Sequence, residues 1–171
     1  MKDAKGHGSD PRGGAHSSGV ESVGRQVTVS PKVLETIRNS PGGFSITPDG
    51  QQPTNGYMVS IPGHSQIVSE SDLAGPRGKD IMDSYAKTHS DALSQPGAHF
   101  GGWTDKEAGK TYLDVSQNIP RMATAYSAGV NRNQIAIWDV ANSKEIPTGG
   151  RGMNRGEDYR GVPKNWGQGG K

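Results

Sequence analysis

Apolar residues come in short runs in this chain, and glycine or proline interrupts nearly all of them. "GFSI" (43–46), "GYMVSIP" (56–62), "KTYLDVS" (110–116) and "QIAIWDV" (134–140) are rich in β-branched and aromatic residues and bounded by turn formers. Runs this short suit strands. They are far below the roughly 18 apolar residues of a membrane span. In "GYMVSIP", Tyr57, Val59 and Ile61 point one way, and Met58 and Ser60 the other. In "KTYLDVS", Thr111, Leu113 and Val115 share one side, and Tyr112, Asp114 and Ser116 the other. "QIAIWDV" is apolar on both faces, which predicts a central place in the sheet.

Helical period appears between the strands. "VTVSPKVLETIRN" (27–39) has Ser30 as N-cap, Pro31 at the first helical position, and Val29 set to staple against Leu34. Residues 79–94 carry an apolar stripe of Ile81, Met82, Tyr85, Ala92 and Leu93. "RMATAYSAG" (121–129) reads as a short helix packing through Met122, Ala125 and Tyr126, with Gly129 as C-cap. "SQIVSESDL" (65–73) can add a short strand. "AHFGGWTDKEAGKTYLDVS" (98–116) reads as a hairpin with Gly109 at a positive φ. "EIPT" (145–148) reads as an edge strand, where Pro147 is tolerated. The order α, β, β, α, β, β, α, β, β predicts an α+β fold: a mainly antiparallel sheet with helices packed on it.

Composition limits how much of the chain can pack. Hydrophobic residues are only 30% and mean hydropathy is −0.76, too little to fill a core from end to end. Residues 1–26 and 149–171 read as flexible Gly-rich arms around a single domain, 27–148. The domain carries ten Lys/Arg against twelve Asp/Glu; the C-terminal arm carries five against two. The basic character therefore sits at the ends, and the domain is slightly acidic, unlike one built to grip a polyanion.

Several chemistries are disfavoured. Without cysteine, disulfides and thiolate sites are excluded. None of His7, His16, His64, His89 and His99 falls into HExxH-type spacing, so no metal and no cofactor are expected. No phosphate-binding glycine loop or hydrolase serine elbow is found. No signal peptide and no transmembrane segment are read.

"IPGH" delivers His64 at the end of a strand, where an imidazole can serve as acid or base. His99 opens a hairpin strand four residues before Trp103, which reads as packing. Asp114 sits mid-strand with Lys110, Arg121 and Arg132 as prospective mates. Asp139 reads as the start of a turn, and the Asn and Gln of "NRNQ" (131–134) as loop amides that hold backbone. Tyr159 and Trp166, among the basic residues of the C-terminal arm, suit a partner anchor or weak nucleic-acid contact.

The stretch from "SPGGFSI" through "GYMVSIPG", "GAHFGGW" and "KTYLDVSQNIP" to "NQIAIWDVANSKEIPTGG" resembles a module of actinobacteriophage and prophage head-associated (MuF-type) proteins, over about residues 40–150. That resemblance implies a phage setting, in the host cytoplasm or the virion. Modules in that setting include candidate toxins similar to the barnase–EndoU–colicin–RelE class of metal-independent ribonucleases. No catalytic motif of that class can be matched here.

Two functions follow. One is a phage-associated accessory or virion-associated protein acting through contacts with a phage or host protein. The other is a small metal-independent ribonuclease-like toxin domain. It would use His64 or His99 as acid and base with Asp114 and Tyr112, and Lys110, Arg121 and Arg132 on the phosphate. It requires a histidine, a cation and Asp114 or Tyr112 to meet on one concave face.

Overall fold

The computed structural model describes residues 26–152. Tyr159, Trp166 and nearly all of both expected arms lie outside them. Residues 149–152 do not: Gly150 N donates to the Gln134 carbonyl at 3.0 Å and Gly152 N to that of Asn133 at 2.9 Å. The folded unit therefore runs past 148.

Helix α1, Pro31–Asn39, forms as its local signals dictate. Ser30 Oγ accepts from Lys32 N at 3.3 Å, Pro31 opens the first turn, and Val33 and Ile37 are buried. Strands β1 (Gly43–Ile46), β2 (Tyr57–Ser60) and β3 (Gln66–Ser69) follow. A helix absent from the sequence reading, α2 (Glu70–Ala74), starts where Ser69 Oγ caps Asp72 N. The expected 79–94 helix breaks at His89 into α3, Gly78–Thr88, and α4, Ser90–Leu93. The hairpin is β4, Ala98–Asp105, and β5, Lys110–Ile119, with Gly109 at φ 62°. Helix α5 is Met122–Asn131, then β6, Ala136–Asp139, and the edge strand β7, Lys144–Pro147.

The fold is α+β, with one seven-stranded antiparallel sheet in the order β1-β4-β5-β2-β6-β7 and β3 also paired to β5. The central strand is β5, not β6 as its apolar faces suggest. β5 pairs with β4 along one edge; along the other it pairs with β3 at its start and β2 at its end. Pairing steps from Ser60↔Ser116 to Gln66↔Leu113. Residues 61–65, "IPGHS", therefore bulge out opposite Asp114 and Val115, and β2 and β3 form one interrupted line.

Every helix packs on one face. Val33, Leu73, Met82, Tyr85, Phe100, Leu113 and Val115 form the larger core cluster; Val59, Ile119, Ala125 and Ile137 form the smaller, beneath α5. Two expectations for α5 fail. Met122 and Tyr126 are 47% and 40% exposed, in a stripe with Val130, because only the small residues face the sheet. Gly129 is not a C-cap but lies inside the helix, where a Cβ would meet Ile137 Cγ2 at 2.7 Å.

Candidate functional site on the open sheet face

Strand alternation sends a second set of side chains to the face that carries no helix among the described residues. Register aligns them in rows across the sheet: Gly43, Trp103 and Tyr112; Ser45, Gly101 and Asp114; His99, Ser116 and Ser60; then Met58 and Trp138. A groove of about 950 Å³ runs over this face, and no helical residue among those described lines it. Trp103 and Tyr112 pack against each other across strands, with ring centroids 5.5 Å apart and planes tilted by 39°. Trp138 lines the groove on the β6 side and is 38% exposed.

Asp114 lies at the floor. Ser60 Oγ donates to Oδ2, and Ser116 Oγ lies 3.3 Å from both carboxylate oxygens. Burial raises the carboxyl's pKa; the bonds from Ser60 and Ser116 and the charge of His64 oppose the rise. Gly101, directly opposite, leaves the carboxylate room: a Cβ there would overlap Oδ1. The ion pairs among the described residues are Arg77–Asp72, Lys79–Asp83 and Lys106–Glu70, and none involves Asp114.

The mates expected for Asp114 lie elsewhere. Arg132 turns to the helix side, donating to Gln117 Oε1 at 2.8 Å and to the Ser60 carbonyl at 3.5 Å. Lys110 is exposed at the far end of β5, in register with Asp105. Arg121 is exposed just before α5. None of the three lines the groove. The cations are dispersed because they stand at the ends of elements, whereas Asp114 is in the middle of one.

The histidines divide in the same way. His64, on the bulge, turns to α3 and α4: its Nδ1 is 2.9 Å from His89 Nδ1, and its carbonyl accepts the Tyr85 hydroxyl at 2.6 Å. One imidazole must donate and the other accept, so the pair shares a proton. Burial, and then the charge of His64, lowers the pKa of His89. Tyr85 is held well above the ordinary phenol value, by burial first and Asp114 second. His99 is buried, with Nδ1 2.7 Å from the Gly97 carbonyl, and burial lowers its pKa. Neither His64 nor His99 lines the groove; of the acid, base and phosphate candidates, only Asp114 and Tyr112 do.

Asp139 starts its turn as expected, accepting from Asn142 N at 3.2 Å and Asn142 Nδ2 at 2.8 Å. Sequence reasoning missed Ser60, Gly101 and Trp138 as groove residues and His89 as the partner of His64. Alternation puts Ser60 and Trp138 on definite faces, but only register brings those faces beside Asp114. Among the described residues, no three metal-ligating side chains come together, and no helix is long and apolar enough to cross a membrane. No family model, curated protein or solved structure matches the chain.

Proposed function

We propose that this chain is a binding module, a phage-associated accessory protein in the setting its resemblance implies, and that it holds a protein partner on the helix-free face of its sheet. The observation that carries this reading is the make-up of the groove. Aromatic rings line it, and among the described residues Asp114 and Glu145 supply two carboxylates and Lys144 the one cation. That is a poor cradle for a phosphodiester and a good surface for a polypeptide, whose interface cores favour Trp and Tyr.

The test is hydrogen exchange on the full-length chain mixed with purified phage heads. Slowed exchange in β1, β2, β4 and β5 is expected. Protection restricted to α5, or none, rejects the reading.

The ribonuclease reading retains one support: His64 is near enough to Asp114 for its charge to act on the carboxyl. Metal-free cleavage of labelled RNA that is lost in a His64→Ala, His99→Ala double variant would favour it. Intact RNA with folded protein would dismiss it.

A further inference from the structure

We infer that the His64–His89 pair is a proton-operated latch on the bulge that rims the groove: it holds the bulge closed at neutral pH, and a second proton releases the bulge and loosens the grip on the partner. The last effect rests on the binding reading above; the latch itself belongs to the free chain.

Residues 61–65 have two sides. Ile61, Pro62 and Ser65 line the groove. His64 turns the other way and makes the bulge's hydrogen bonds to the helices among the described residues. Its Nδ1 meets His89 Nδ1 at 2.9 Å, and its carbonyl accepts the Tyr85 hydroxyl at 2.6 Å. On the sheet side, Ile61 N donates to the Val115 carbonyl at 2.8 Å before the chain leaves β5. Pro62, Gly63 and Ser65 are exposed, and Gly63 stands at φ 87° with nothing within 4 Å of where a Cβ would sit. The tip therefore has room to swing once His64 lets go.

The contact between the imidazoles tolerates one extra proton and not two. The ring centroids are 5.0 Å apart with planes at 86°, so the rings meet nitrogen to nitrogen through a single N–H···N bond. With both rings neutral, one Nδ1 carries the hydrogen and the other accepts it. A first proton leaves that arrangement intact and puts charge on the donor, which strengthens the bond. Asp114, on β5, is the nearby counter-charge. A second proton puts hydrogen on both Nδ1 atoms, so two donors of like charge face each other with no acceptor between them. Tyr85, on α3, also faces the pair and stays a neutral phenol throughout. Lys87 of α3 and Asp91 of α4 flank His89 in sequence and are exposed. Interacting groups titrate in two steps. Burial and the charge of His64 hold His89 below its ordinary value, so the second step falls below about pH 6.5.

The experiment follows the ring nitrogens of His64 and His89 and the amides of residues 61–65 by NMR, on the full-length chain, from about pH 8 to about pH 4.5. Two linked steps are expected. The bulge amides should change with the lower step, and their exchange, corrected for the pH dependence of free peptides, should speed up about tenfold. His89→Gln keeps a side chain that can hydrogen-bond His64 and cannot take up a proton; the lower step and the bulge response should vanish in it. Independent single-step titrations, or an equal bulge response in His89→Gln, overturn the inference. So do amides of β4 and β5 that move together with the bulge, since the whole fold would then be opening in acid. Should His89→Gln not fold, the unaltered chain decides: bulge amides that follow the first step, or neither step, overturn it. Chain bound to phage heads is then taken to about pH 5.5. Release several-fold greater for the unaltered chain than for His89→Gln is expected, and equal retention of both overturns the link from latch to groove. If heads bind neither chain at neutral pH, the binding reading falls and the free-chain titration judges the latch alone.

Discussion

Replacing Gly101 with alanine tests whether the groove floor is built as described. The added Cβ would overlap Asp114 Oδ1 and lie 3.2 Å from Ser116 Oγ. The carboxylate is the free end of a side chain and can turn away, so the cost is what it loses by turning. That loss is its bonds from Ser60 and Ser116. One hydrogen bond to a charged group contributes about 1.5–3 kcal/mol. Alanine in place of glycine in a strand returns about 0.5–1 kcal/mol. With two such donors lost, Gly101→Ala should therefore destabilise by about 2–5 kcal/mol. In an Asp114→Ala background the obstruction is gone, and the same change should stabilise by about 0.5–1 kcal/mol. The assay is urea unfolding of the four chains of this cycle, followed by tryptophan fluorescence. An equal cost of Gly101→Ala in both backgrounds would refute the argument, because the clash would then be with backbone and not with the carboxylate.

Asp114→Asn should stabilise the fold near neutral pH. Burial raises the folded pKa of this acid, so in the window between the ordinary carboxyl value and the raised one the folded chain holds more protons. Stability falls as pH rises through that window, and asparagine removes the loss; a melting temperature unchanged at neutral pH would count against a half-buried charge at a desolvated site. His89 and His99 act in the opposite sense. Their folded pKa values are lowered, so the unfolded chain takes up protons first as pH falls below about 6.5, and stability is lost on acidification. His99→Gln should flatten that part of the profile. Gly129→Ala should cost about 1 kcal/mol. Its Cβ meets Ile137 Cγ2 at 2.7 Å and Thr148 Cγ2 at 3.0 Å, and overpacking of about 1–3 kcal/mol exceeds the helix gain of about 0.8–1 kcal/mol; a raised melting temperature would mean that α5 can shift. Met122→Gln with Val130→Gln should leave stability within about 0.5 kcal/mol, since both side chains are nearly half exposed; a larger loss in chemical denaturation would place them in a core.

What the sequence determined by itself is local. Ser30, Pro31 and the Val33–Ile37 spacing specify α1, because capping and helical period act within a few residues. Alternation along "TYLDVS" specifies the two faces of β5, Gly109 permits the hairpin turn, and Pro147 marks an edge. Fold class follows from the order of such segments. Their arrangement in space does not. The apolar faces of "QIAIWDV" predict a central strand, yet β5 takes that place, because it is ten residues long and can pair with β4 on one side and with both β2 and β3 on the other. Met122 and Tyr126 have core-like side chains, but the close approach of α5 at Ala125 and Gly129 turns them to solvent. The groove is legible only in part. Tyr112, Asp114 and Ser116 are visible as a polar face, whereas Ser60, 54 residues from Asp114, becomes its partner only through the β2–β5 register. Tertiary structure alone decided which strands met, because pairing joins residues far apart in the chain and depends on what every other segment buries at the same time.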